Sequence, residues 1–261
     1  MLLDGKVALL SGVGPGLGRE AALVFAREGA SVVLVARDER RILAVAREVE
    51  QAGGHALPVA ADLLAENQCQ GAVARAAEAF GRIDALVNLA FAESSWQTLL
   101  SVDVDLEAWR QAFEVNVFGT LRMTRAVAPL MVERGQGAII MVNSIASAGL
   151  MPRIADYTGS KAALAGMTRT LALELGPHGI RVNGIHPGTM WGPYNERRFQ
   201  GMADEKGTTV QQEHDRAAAQ VPLRYLPGSN EIAEVLAFFA SDRARAITGQ
   251  QLHVNAGQYL S

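Results

Sequence analysis

A single cysteine, Cys69, stands in 261 residues, so no intrachain disulfide can form and nothing calls for an oxidising compartment. Long apolar runs are missing too. None approaches the roughly 20 residues needed to span a bilayer, so no membrane segment is expected. There is no excess of either charge: 24 basic and 27 acidic side chains leave a formal −3. No stretch concentrates Lys or Arg without acids nearby, which argues against a nucleic-acid partner. Residues 1–6 lack a basic region followed by an apolar stretch, so no targeting segment is expected and the cytoplasm is the default location. Histidine is sparse, and His55, His178, His186, His214 and His253 include no pair with metal-ligand spacing; no metal site is expected.

What is present is globular composition, 49% hydrophobic and 20% charged, in a chain long enough for one large domain. Short β-branched runs alternate with longer amphipathic stretches. Strands are predicted over residues 7–10, 31–36, 57–60, 85–88, 138–142, 181–185 and 251–254. Helices are predicted over 17–27, 38–52, 66–80, 106–133, 157–175 and 231–240, the fifth stopped by Gly176-Pro177. Such alternation specifies an α/β fold: one doubly wound domain over residues 1–261, a seven-stranded parallel sheet with helices on both faces. Only residues 189–221 break the rhythm, a polar segment with scattered aromatics that reads as an irregular substrate lid.

The first strand runs into Ser11-Gly12-Val13-Gly14-Pro15-Gly16-Leu17-Gly18. The common G-x-G-x-x-G does not fit, but the wider S-G-x-x-x-G-x-G does, through Ser11, Gly12, Gly16 and Gly18. Glycines let the backbone turn tightly against a pyrophosphate, and the free N–H groups and dipole of the next helix attract the anion. A merely flexible loop is the alternative; its place between a strand and a helix favours a nucleotide cradle. The second strand ends at Val35-Ala36-Arg37. Small Ala36 removes a competing acid and the Arg37 fork suits a 2′-phosphate, so NADP(H) is preferred. Asp38 could instead reach a ribose, which keeps NAD(H) possible, and Pro15 supplies no second cation.

Tyr157 and Lys161 lie four residues apart on one helical face. Holding a phenol partly ionised near pH 7 needs about 3 pKa units, roughly 4 kcal/mol, which a close ammonium in a dry cleft can largely supply. Alone this pair is weak, since surface contacts also produce it. Ser144 ends the preceding strand, with Ser147 a competitor three residues on, and Asn116 sits within the long helix, where a core amide shaping a kink is the inert reading.

With these residues in order, the chain resembles the short-chain dehydrogenase/reductase family from about residue 4 to residue 257. The matching pieces are the 11–18 turn, Asp62, Asn88-Leu89-Ala90, Asn116, Ser144, Tyr157 with Lys161, His186-Pro187-Gly188, and Ile247-Thr248-Gly249-Gln250. The resemblance implies a Rossmann-type domain that moves hydride between a nicotinamide and an alcohol or carbonyl carbon. By position, Tyr157 would be the general acid/base, Lys161 would lower its pKa and hold the nicotinamide ribose, Ser144 would bind the substrate oxygen, and Asn116 would fix a water linking Lys161 to solvent. Ser144 is preferred to Ser147 because its distance from Tyr157 matches the family. Ser11, Gly12, Pro15, Gly16 and Leu17 would hold the pyrophosphate side. Asp62 and Leu63 would face the adenine, Asn88 and Ala90 the ribose, and Pro187, Gly188 and Thr189 the nicotinamide.

The sequence departs from the family in places. Phe91 replaces a glycine after the fourth strand and should narrow the cleft; Gly192 stands where many members have a threonine; and Val254-Asn255-Ala256-Gly257 differs from the usual ending. Trp109 and Phe113 should pack the long helix, and His186 should order a turn. Trp191, Tyr194, Phe199 and Met202 either seal the domain or wall an apolar or cyclic substrate. The expected partners are a small carbonyl or alcohol and, by resemblance, further copies of the chain in a homotetramer. A nucleotide-binding sensor without catalysis is the competing function, and a lyase or epimerase using bound nicotinamide internally is a third.

Overall fold

Short runs such as Ser31–Ala36, with Val32, Val33, Leu34 and Val35 fully buried, are stable only in a parallel ladder screened from water on both faces. The computed structural model describes residues 1–92, 101–148 and 152–260. Its strands are β1 (Val7–Ser11), β2 (Ser31–Ala36), β3 (His55–Ala60), β4 (Ala85–Asn88), β5 (Gly137–Val142), β6 (Ile180–Pro187) and β7 (Gln251–Val254). They form one seven-stranded sheet in the order β3-β2-β1-β4-β5-β6-β7, parallel throughout.

Helices α1 (Leu17–Arg27), α2 (Glu39–Gln51) and α9 (Ser229–Ala240) cover one face. Phe25, Ile42, Val49, Ile232 and Leu236 are buried there. On the other face lie α3 (Glu66–Phe80), α5 (Thr120–Arg134) and α6 (Ala155–Leu175), burying Ala76, Met123, Met131 and Leu164. Burial of this apolar surface, at roughly 25 cal/mol per Å², holds the strand ends rigid where the site forms.

Two stretches and several element bounds differ from the sequence reading. The single helix expected over 106–133 is α4 (Leu106–Phe113), a wide π-type turn (Glu114–Gly119) and then α5. The wide turn swings Asn116 fully inward, a common device where a helix serves a site. Residues 189–221 are not irregular: α7 (Pro193–Lys206) and α8 (Val210–Ala218) occupy most of them. Their polar composition hides a separate small core of Phe199, Ala218, Val221 and Leu226. Thr209 and Gln212 close a reciprocal cap at the start of α8. Finally β3 begins at His55, α6 at Ala155 and α9 at Ser229, each two residues before the pattern suggests.

Candidate active site

β1 and β4 are neighbours in the sheet although two strands, β2 and β3, separate them in sequence. The chain leaves them in opposite directions, which opens a crevice beyond their carboxyl ends. The turn after β1 shapes its floor. Gly12 sits at φ +89°, and a Cβ there would lie 2.4 Å from the Ala90 nitrogen, so only glycine fits. Gly18 is equally constrained: a Cβ would come 2.8 Å from Val13 Cα, and its absence lets α1 start close against β1. No side chain caps the first turn of α1 at Gly16, so its N–H groups face the crevice for an anion. Beneath them Ser11 Oγ and Asn88 Oδ1 are buried and lack hydrogen-bond partners, although Ser11 and Asn88 are paired in register. A glycine cradle, an uncapped helix and orphaned acceptors at the strand ends fit a dinucleotide.

Around this floor, Arg37 is exposed at the end of β2. Asp38 next to it is spent on structure: its carboxylate accepts the Arg41 N–H at 3.1 Å to cap α2 and pairs with the Arg41 side chain at 3.4 Å. Asp62 accepts the Leu64 N–H at 3.0 Å, and Leu63 is buried beside it. Asn88 donates to Thr124 Oγ1 at 3.2 Å. Pro187 ends β6, and Gly188 and Thr189 follow. Gln258 grips Thr189, accepting its N–H at 2.7 Å and donating to its hydroxyl at 3.1 Å, a clamp that no motif announced.

The structure brings Ser144, Tyr157 and Lys161 together. Ser144 Oγ accepts the Ala146 N–H at 3.1 Å, and its hydroxyl hydrogen-bonds the Tyr157 phenol. Ser147 points elsewhere, to His186 Nδ1 at 3.0 Å. Burial pushes the Tyr157 phenol up to about 12, the Ser144 bond offsetting part of this and Tyr194 adding to it. Burial also pulls the Lys161 ammonium down to about 7. The expected lowering of the phenol by Lys161 is therefore not found here. The ammonium donates to the Val142 carbonyl at 2.8 Å and lies 5.8 Å from the Tyr157 ring centre, so desolvation outweighs its field.

Asn116 is reached through a partner that the sequence reading missed. Its Nδ2 donates to Ser160 Oγ at 2.9 Å, its Oδ1 accepts the Ala92 N–H at 2.8 Å, and Ser160 donates to the Tyr157 carbonyl at 2.8 Å. Asn116 thus ties the chain after β4 to the first turn of α6. Trp109 and Phe113 pack on that helix at Gly159, where a Cβ would sit 3.8 and 3.6 Å from their rings.

Of the four aromatic or sulfur-bearing candidates in 189–221, three build the α7–α8 core. Phe199 is buried, Trp191 and Met202 pack on it, and Trp191 also meets the His214 ring at 4.6 Å. Tyr194 alone faces Phe91, edge-on at 6.0 Å. That contact bridges α7 and the segment after β4, the narrowing that Phe91 foreshadows.

A family model described as enoyl-(acyl carrier protein) reductase matches residues 12–258. The short-chain reductase protein NovJ of Streptomyces niveus is 34% identical over 253 residues, covering 97% of this chain and 94% of that protein. A variant of actinorhodin polyketide ketoreductase with NADPH superposes at a TM-score of 0.90 with 30% identity, covering 97% of each chain. A 7α-hydroxysteroid dehydrogenase complexed with NADH and 7-oxo glycochenodeoxycholic acid superposes at 0.82 with 31% identity, covering 99% of this chain and 97% of that one. The chain belongs to the short-chain dehydrogenase/reductase family of oxidoreductases, which act on CH–OH groups. Its sheet and helices are the Rossmann-type fold of that family.

Proposed function

We propose that the protein is an NADP(H)-dependent oxidoreductase that interconverts a ketone and a secondary alcohol, with Tyr157 as general acid/base. The observation that carries this reading is the convergence of the Ser144 hydroxyl on the Tyr157 phenol beside a glycine cradle, with Lys161 buried behind them. When bound, the nicotinamide supplies or takes the hydride. Hydride arriving at a carbonyl carbon leaves negative charge on oxygen. Ser144, oriented by the Ala146 N–H, donates to that oxygen, and Tyr157, protonated because burial raises its pKa, delivers the proton. Lys161 holds the helix and strand of the site together and offers the charge that steadies the resulting phenolate. Asn116 keeps the first turn of α6 in place through Ser160.

Arg37 holds the 2′-phosphate, Asp38 being committed to α2. Ser11, Gly12, Pro15, Gly16 and Leu17 take the pyrophosphate, Asp62 and Leu63 the adenine, Asn88 and Ala90 the ribose, and Pro187, Gly188 and Thr189 the nicotinamide. Relatives with NADPH and with NADH are both among the solved structures, so NAD(H) is the alternative cofactor. A single domain spans the chain, with 189–221 as its lid, and the Phe91–Tyr194 contact favours flat or cyclic ketones. The family model's description raises a second reaction, reduction of an enoyl double bond. Two hydroxyls meeting at one point suit a carbonyl oxygen better. Apolar grooves outside the sheet, one lined by Leu106, Trp109, Phe113 and Phe118 and one by Leu121, Pro129, Leu171 and Leu175, support a homotetramer, which light scattering tests.

The deciding experiment follows NADPH and NADH absorbance over cyclohexanones, steroid ketones and an enoyl thioester. Turnover of ring ketones with NADPH supports the reading. Turnover of the thioester alone, or of nothing in the panel, overturns it.

A further inference from the structure

Four polar side chains outside the reacting centre meet behind the Ser144 turn. His186, buried near the end of β6, turns Nδ1 toward Ser147 Oγ at 3.0 Å and the Ser144 carbonyl at 2.9 Å. Its Nε2 lies 2.6 Å from Gln251 Oε1 on β7. Gln251 is fixed in turn: Nε2 donates to the Ala165 carbonyl of α6 at 3.1 Å, and Oε1 accepts from Asn143 Nδ2 at 3.1 Å. Gly184 makes the slot, since a Cβ there would stand 2.1 Å from Gln251 Oε1 and 3.0 Å from Asn143 Nδ2. His253 stacks on His186 with ring centres 4.8 Å apart, and Tyr259 stacks on His253 at 4.9 Å.

A backbone carbonyl only accepts, so the Gln251 amide nitrogen belongs at Ala165 and its oxygen at His186. The Ser147 hydroxyl donates to the Ser144 carbonyl at 2.7 Å, and His186 Nδ1 backs both of these oxygens. The short turn Ile145–Ser147 is pinned from behind. It is also the turn that presents the Ala146 N–H to Ser144 Oγ, and an oxygen that accepts there keeps its own proton for the side facing Tyr157.

We propose that His186, set by Gln251 in the Gly184 slot, is a positioning residue for Ser144, acting through Ser147. The proposal rests on the reading in which Ser144 and Tyr157 handle the substrate oxygen. Its reach is kcat, because these bonds end on the turn that carries Ser144, and the loss of one neutral hydrogen bond corresponds to roughly a fivefold effect.

The test uses the full chain with NADPH and the ring ketone that turns over fastest. Ser147→Ala and His186→Leu are expected to lower kcat about five- to tenfold, with KM and the NADPH dissociation constant within about twofold. Ser147→Thr, which keeps the hydroxyl, is expected to restore kcat. Wild-type kcat in Ser147→Ala, a change confined to KM, or failure of Ser147→Thr to rescue each overturns the proposal. Should His186→Leu not fold, Ser147→Ala and Ser147→Thr decide. If Tyr157→Phe is inactive while Ser147→Ala is unimpaired, the positioning role fails and the site reading stands; an active Tyr157→Phe removes the site reading itself.

Discussion

Lys161 donates its ammonium to the backbone carbonyl of Val142 across 2.8 Å. Val142 is the last residue of β5 and Ser144 lies two residues beyond it, while Lys161 shares a helical face with Tyr157. One side chain therefore sets the spacing between the strand that carries one hydroxyl and the helix that carries the other.

That burial has a pH signature. Lys161 ionises near 7 in the fold against 10.5 outside it, so between these values the unfolded chain binds a proton that the folded one has released. Stability rises with pH across that window. Tyr157, pushed up from 10 to about 12, works in the opposite sense, and its share is lost as pH climbs from 10 to 12. Urea unfolding without added cofactor is expected to show a gain from pH 7 toward 10 that Lys161→Met flattens. A rise of equal slope in that variant would remove the lysine from this account.

Tyr157→Phe keeps the ring and deletes the proton. Turnover of the ring ketone is expected to fall at least about 100-fold, while NADPH titrated by fluorescence still binds within about tenfold of the parent. Unchanged turnover would falsify the acid/base role.

Two glycines of one turn should behave differently. Gly12→Ala must place a methyl against the Ala90 backbone at positive φ, whereas a Cβ on Gly14 meets nothing within 4 Å. Nucleotide binding and Tm are expected to collapse in the first and stay near the parent in the second. Equal behaviour would show that the turn is not held against β4.

Arg37→Asp is expected to raise KM for NADPH about tenfold or more and to spare NADH, since a guanidinium fork is exchanged for an acid that repels phosphate. An unchanged ratio of the two cofactors would assign the 2′-phosphate to another residue.

Phe91→Ala removes the edge contact with Tyr194. Bulky ring ketones are expected to gain about tenfold in kcat/KM relative to cyclohexanone, the scale of added room in an apolar pocket. Equal gains for both ketones would mean that the pair does not gate by size.

Most of the frame was legible because its signals are local. Alternation and glycine punctuation located every strand, and the motif order placed Ser144, Tyr157 and Lys161 near one another before any contact was known. Contacts that depend on packing were not legible. Ser160 reads as an ordinary small residue in a helix until Asn116 is seen bonded to it. Gln258 and Gln251 lie far along the chain from the atoms they hold. Residues 189–221 hid two helices because their few apolar side chains cover one another rather than the sheet. The burial-driven rise of the Tyr157 pKa is hidden for a related reason: a charge four residues away is visible in sequence, and the loss of water around both groups is not.

The wide turn at Glu114–Gly119 makes the chain carry a surplus residue between α4 and α5. Excising one position there would let the ladder run unbroken and would turn the upstream half by about 100° against the downstream half. Such a deletion is a candidate for a sturdier but idle protein, since the amide that braces Ser160 would be carried off the inner face. Kin that have abandoned this chemistry could therefore betray themselves by a lone gap at that place, even with tyrosine and lysine still in register.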